Sequence, residues 1–155
     1  MIRQVEDADL DEVAAMIARS IRVSVAATAE EADFLIPDVY ESLSDWKKDK
    51  TNTIHLLHET DERIDGVILV KNHWNLCDLF VDPNAQRKGI GRALLNEVLP
   101  ACAENSPKGK LMVNSSTVGL KFYKALGFMQ TGPGIERPGG CVPLELTSAN
   151  VRTES

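Results

Sequence analysis

Gln86, Arg87, Lys88, Gly89, Ile90 and Gly91 lie between an apolar stretch, Leu79-Phe80-Val81-Asp82-Pro83, and a helix-forming one that opens Arg92-Ala93-Leu94-Leu95. The order reads as strand, loop and helix. Two glycines allow a tight turn that aims successive backbone N–H groups at one point, and the helix that follows adds the positive end of its dipole there. Arg87, Lys88 and Arg92 put cations at a helix start, which is unfavourable to the dipole unless an anion sits among them. For Lys88, plain solvation is the alternative. The chemistry that suits this arrangement is the holding of a phosphate or pyrophosphate.

Two familiar phosphate loops do not fit. A P-loop needs Lys and then Ser or Thr after its last glycine, but Ile90 follows Gly89 and Arg92 follows Gly91. A dinucleotide-binding fingerprint starting at Gly89 needs Gly or Ala where Leu94 stands, and its strand would not end in Asp-Pro.

The pattern that does fit, Gln/Arg-x-x-Gly-x-Gly/Ala, resembles the pyrophosphate loop of the GCN5-related N-acetyltransferase superfamily at every fixed position. A second block, Leu111 to Ser116 followed by Gly119-Leu120-Lys121-Phe122-Tyr123-Lys124-Ala125-Leu126-Gly127-Phe128, resembles that superfamily's late strand and its helix ending in Tyr-x-x-x-Gly-Phe. The resemblance is sharp over residues 76–128 and topological elsewhere. It implies a single-domain mixed α/β fold over residues 1–155, with about six or seven strands and about four helices, and a splay between the 76–81 and 110–114 strands where a thioester lies. It also implies acetyl-CoA as co-substrate and direct acetyl transfer to a primary amine, of a small molecule in the first reading. The alternatives are a peptide or protein amine, or a non-catalytic CoA-binding regulatory module. A homodimer is common in the family.

By the same resemblance, the backbone of Leu79, Phe80 and Val81 holds the pantetheine arm and the thioester oxygen, and the loop from Gln86 through Arg92 holds the pyrophosphate. Tyr123 would donate a proton or hydrogen bond to the leaving sulfur; its other reading is a ring packed in the core. An ammonium must also lose a proton, and Asp78, just before the contact strand and sharing a face with Phe80, is the candidate base. The alternative is a strand-face aspartate bonded to solvent. Asn114 and Ser116 either bond the cofactor or cap the helix of Tyr123. Many relatives carry asparagine where Ser116 stands, so the reach there is shorter. Gly119 either permits close approach of the cofactor or serves packing.

The length, 155 residues, suits one domain with a full core. With 17 basic and 23 acidic residues the net charge is −6, which argues against a nucleic-acid surface. Nowhere does an apolar run approach the ~20 residues of a membrane span, and no basic-then-apolar leader opens the chain, so a cytoplasmic protein is expected. Cys77, Cys102 and Cys141 form no metal-ligand or Cys-x-x-Cys pair and read as reduced and structural. His55 and His58, three apart on a strand, point to opposite faces, so no metal site is expected. His73 and Trp74 either line the acceptor pocket or pack at its rim.

The elements that must position these groups follow from periodicity. Ile2 to Val5 starts a strand, and Asp9 with Glu12 forms a capping-box-like entry to a helix whose buried stripe is Leu10, Val13, Ala14, Ile17 and Ile21. Residues 24–37, closed by Pro37, are ambiguous, and Val39, Leu43 and Trp46 mark a second helical stripe. In the resembled family this early helical region walls the acceptor site. Strands are expected at Ile54–Leu57, Ile64–Val70 and Leu76–Val81. A helix follows the loop, and Pro100 should kink or end it. Lys110–Asn114 returns to strand, 117–126 to helix, and a glycine- and proline-rich loop precedes a strand from Cys141 to Leu146 and a frayed tail.

Overall fold

A computed structural model describes residues 1–148, and the expected tail lies outside them. Strands β1 (Ile2–Gln4), β2 (Thr53–Thr60), β3 (Arg63–Lys71), β4 (Asn75–Val81), β5 (Lys110–Ser115), β6 (Met129–Gln130) and β7 (Val142–Thr147) form one mixed sheet. Their spatial order is β1-β2-β3-β4-β5-β7-β6. Helices α1 (Leu10–Ser20) and α2 (Ala29–Lys48) pack on one face, α3 (Ile90–Asn105) and α4 (Leu120–Ala125) on the other. Because both faces are covered, β3 is buried from Ile64 to Val70 and reads as a continuous apolar run rather than an alternating one. Val67 and Leu69 pack with Val13, Ile17, Leu43 and Trp46, whereas Ile68 and Val70 pack with Leu94, Leu95 and Val98.

Every neighbouring pair of strands is antiparallel except β4 and β5. That parallel pair holds only at Asn75 with Met112 and Leu76 with Val113. Next to it the β3–β4 register shifts: Leu69 faces Asp78 while Val70 faces Leu76, which leaves Cys77 as the extra residue of a bulge. The bulge turns Asp78 to the α1/α2 face with Phe80, while Leu76 stays in the core under α3.

Several local expectations change. Asp9 does not box with Glu12; its carboxylate accepts from Glu6 N–H at 2.8 Å and pairs with both Arg3 Nη atoms at 2.9 Å. Glu12 instead accepts from Ile64 N–H at 2.8 Å. The ambiguous 24–37 region resolves into the end of a π-helical turn, Ile21–Val25, and the start of α2, capped by the Thr28 hydroxyl accepting from Glu31 N–H at 3.1 Å. Neither Pro37 nor Pro100 ends its helix. Both stand on exposed helix faces, so the carbonyls they deprive of a donor, those of Asp33 and Asn96, sit on the water side. The helix of Tyr123 begins at Leu120, later than the expected 117. Cys102 and Cys141 are buried, but Cys77 is exposed rather than structural.

His55 is buried on the α1/α2 face with its ring edge-on to Trp46, centroids 4.4 Å apart, and neither ring nitrogen has a hydrogen-bond partner. Burial pushes its pKa from 6.5 down to about 4, so it is neutral in the fold. The unfolded chain therefore binds more protons between those two values, and stability is lost as pH falls through that window, by on the order of 3 kcal/mol. His55→Leu should remove this component. Urea unfolding at pH 7 and pH 4.5 should show a smaller loss in the variant than in the parent, and equal losses would contradict the assignment.

Candidate active site

Below Leu76 and Val113 the two parallel strands part, and a cavity of about 920 Å³ occupies the gap and runs on between α2 and the start of α3. Asp82 N–H points at β3, donating to the Asp65 carbonyl at 2.9 Å. Strand alternation then turns the N–H groups of Leu79 and Val81 toward the open side, where no strand pairs with them. Phe80, expected to share this contact, has its backbone turned to Val67 of β3, although the residue lines the cavity with the other two.

At one end of the cavity stand Gln86, Arg87, Gly89, Ile90, Gly91 and Arg92. Gly89 caps α3 with φ 75, a left-handed conformation that disfavours side chains, and Arg87 also has positive φ, at 68. The first helical hydrogen bond is Ala93 N–H to Gly89 C=O at 2.9 Å, which leaves the N–H groups of Ile90, Gly91 and Arg92 without intrahelical acceptors. A Cβ on Gly91 would stand in ordinary van der Waals contact with Phe122 and Val81, at 3.5 Å. Lys88 does not line the cavity, in contrast to its expected contact. None of Arg87, Lys88 or Arg92 pairs with a carboxylate among the described residues.

Farther along, Asp78 and Tyr123 line the same cavity. Burial pushes the Asp78 carboxyl up to about 6, against the pull of Lys71. Burial, and secondarily the charge of Asp78, push the Tyr123 phenol up, so it stays protonated. The Tyr123 ring packs edge-on against Phe122 and Phe128, at 5.2 and 5.3 Å, and the residue also borders the cavity. Ser116 lines the cavity, and its Oγ accepts from Gly119 N–H at 3.1 Å in the turn before α4 without capping that helix. Asn114 lines the cavity and makes no cap. Gly119 has a packing reason, since a Cβ there would crowd Ser115 Oγ and Ser116 Oγ at 3.1 Å. His73 and Trp74 lie away from the cavity, and the Trp74 ring carries the Lys108 ammonium at 3.6 Å.

Sequence periodicity did not reveal the opposite wall in detail. Ser20 and Ser24, at the end of α1 and in the π-helical turn, line it with Leu35, Asp38 and Ser42 of α2. Ser24 Oγ accepts from Gln86 Nε2 at 3.2 Å, joining this wall to the anion loop. A second unforeseen feature is Asp82, 1 % exposed. Burial works to raise its pKa, but hydrogen bonds from Arg19 at 2.8 Å and Asn84 N–H at 3.0 Å, with the Arg19 and Arg63 charges, hold it below the ordinary carboxylate value. It ties the end of β4 to α1 and to the 3-10 turn Pro83–Ala85 that leads into the anion loop.

A gap between parallel strands, with free N–H groups and unpaired cations at one end and a carboxylate and a phenol farther along, suits group transfer. Residues 21–145 match the family model of the acetyltransferase (GNAT) domain, and the chain belongs to that family of acetyltransferases. Among solved structures it is similar to a GCN5-related N-acetyltransferase from Rhodopseudomonas palustris, with 15 % identity, TM-score 0.78, and coverage of 95 % of this chain and 94 % of that one. It is also similar to the PaiA N-acetyltransferase of Thermoplasma acidophilum in complex with coenzyme A, with 20 % identity, TM-score 0.76, and coverage of 95 % and 98 %. A third is YncA of Salmonella typhimurium, a putative acetyltransferase with its cofactor acetyl-CoA, at 16 % identity, TM-score 0.71, and coverage of 96 % and 93 %. At these identities the likeness is one of fold. No helix among the described residues is long and apolar enough to cross a membrane.

Asp82→Asn should cost about 2 kcal/mol of unfolding free energy, because it leaves the buried end of the Arg19 pair without its charge. Arg63→Gln, at 3.7 Å and largely exposed, should cost less than ~0.5 kcal/mol. Urea titration of both variants checks the contrast, and equal costs would contradict it.

Proposed function

We propose that the protein transfers an acetyl group from acetyl-CoA to the primary amine of a small molecule, directly and in a ternary complex. The observation that carries this reading is the single cavity that joins the free N–H groups of Ile90, Gly91 and Arg92 to the open edge of β4 and then to Asp78 and Tyr123. Its residues fit the donor. Three unpaired helix N–H groups and the Arg87 and Arg92 guanidiniums suit a pyrophosphate, and the outward N–H groups of Leu79 and Val81 suit an amide-bearing arm and a thioester oxygen. The coenzyme A and acetyl-CoA complexes of PaiA and YncA support the same donor.

When bound, the donor supplies an acyl group activated as a thioester. Leu79 N–H is oriented to take up the negative charge that develops on the acyl oxygen as nitrogen attacks. Asp78, largely ionised at neutral pH, accepts the proton that the nitrogen sheds as its bond to carbon forms and its acidity rises. Tyr123, held protonated, donates to the departing sulfur. Cys77 opens on the same cavity, but desolvation and the neighbouring Asp78 charge push its thiol up. A protonated thiol is a poor nucleophile, which supports direct transfer over an acyl-enzyme. Walls from α2 and the 137–140 turn narrow the half-open cavity, which favours a small acceptor over an extended peptide.

Thiol release from acetyl-CoA across polyamines, amino acids, aminoglycosides and short peptides tests the reading. Tyr123→Phe should lower kcat roughly a hundredfold while acetyl-CoA affinity holds. The kcat/KM profile should rise through pH about 6 as Asp78 loses its proton, and Asp78→Asn should lack that limb. Wild-type kcat in Tyr123→Phe, or an unchanged limb in Asp78→Asn, would contradict these roles; peptide-only turnover would contradict the small-molecule acceptor.

A further inference from the structure

The loop between β6 and β7 borders the cavity with a turn the sequence showed only as glycine and proline. Gly140 N–H donates to the Arg137 carbonyl at 2.8 Å, with Pro138 next and Gly139 at φ 77, which makes residues 137–140 a type II turn. Three neighbours fix it. Gly139 N–H donates to Glu31 Oε1 of α2 at 3.1 Å, Thr117 N–H donates to the Gly139 carbonyl at 2.9 Å, and a Cβ on Gly139 would press Val25 and Leu35 at 3.2 and 3.4 Å. Gly140 is as constrained, since a Cβ there would overlap the Thr117 hydroxyl. The turn is therefore a built part of the wall.

Arg137 opens this turn at the exposed rim of the cavity and makes no ion pair or side-chain hydrogen bond among the described residues. Outside the anion loop, the charged residues lining the cavity are Asp38, Asp78 and Arg137. Asp78 has a role beside the reacting nitrogen. With Asp38 and Asp78 on hand for an ammonium, the exposed Arg137 guanidinium leaves a matching place for an anion carried by the same acceptor. A guanidinium is suited to a carboxylate, which it grips through two parallel N–H donors.

Resting on the acetyltransferase reading above, we propose that the acceptor is an aminocarboxylate, an amino acid in the simplest case, and that Arg137 holds its carboxylate while the amine is acetylated. Asp38, one turn before Ser42 on the facing helix, then disfavours acceptors with an acidic side chain.

The test measures thiol release from acetyl-CoA with neutral α- and ω-amino acids, each beside its carboxamide and its decarboxylated amine, for the parent, Arg137→Ala and Arg137→Lys. The parent should favour the acid over both analogues by roughly tenfold to a hundredfold in kcat/KM. Arg137→Ala should abolish that preference, and Arg137→Lys should keep part of it, because the charge remains and the fork is lost. The acetyl-CoA KM and the melting temperature should not move in either variant, which separates a binding role from a structural one. Where no panel member turns over, the acids should still raise the melting temperature of the CoA-bound parent and not of CoA-bound Arg137→Ala. Equal use of acids and amines, a diamine preference that survives Arg137→Ala, or no shift from any acid would overturn the proposal while leaving the acetyltransferase reading intact. Absence of both thiol release and any acetyl-CoA-induced stabilisation would instead overturn that reading.

Discussion

The brevity of one strand pairing governs the site. β4 and β5 are held together at two positions and then part, so a sheet buried on both faces presents an unpaired backbone edge in its interior. Buried N–H and C=O groups without partners are costly, and a fold keeps such an edge only where something else satisfies it. The bulge at Cys77 sits beside the last paired residues and sends Asp78 to the opposite face from Leu76. The same irregularity therefore accompanies the opening of the gap and delivers a carboxylate into it.

Rigid elements hold the rest of the geometry around that gap. Asp82 fastens the far end of β4 to α1 and to the turn before the anion loop, and Ser24 touches Gln86 from the other wall. The loop's cations and free N–H groups gather positive potential at one end, while the half-enclosed middle of the cavity pushes Asp78 and Tyr123 up together. A carboxylate with a raised pKa next to a phenol that stays protonated gives an acceptor and a donor of protons in one place.

How much of this was legible in the sequence depended on whether a residue's chemistry fixes its own backbone. Gly89 was legible, because a left-handed helix cap needs glycine and its spacing to Gln86 and Gly91 is a pattern. The core stripe of α1 and the buried run of β3 were legible from periodicity. Pro37 and Pro100 do not mark helix ends, because an exposed helix face lets water replace the hydrogen bond that proline removes. The β2–β3 turn carries Asp61 and Glu62 at φ 51 and 64, positions where glycine or asparagine would have announced a two-residue hairpin. The Cys77 bulge, the Arg19–Asp82 pair and the 137–140 turn arise from contacts between residues far apart in the chain, and no local pattern encodes them. Asp78 was legible through the family resemblance, as the residue before the contact strand, and it shares a face with Phe80 beyond the bulge.

Backbone groups left free for a ligand define the site, and amide hydrogen exchange read residue by residue measures them directly. In the free protein the amides of Leu79, Val81, Ile90, Gly91 and Arg92 should exchange much faster than those of Ile68 and Leu69 in the paired strand beside them, and saturating acetyl-CoA should slow the first group selectively. Amides already protected in the free protein, or unaffected by saturating acetyl-CoA, would contradict the claim that the parted strands and the loop form the donor site.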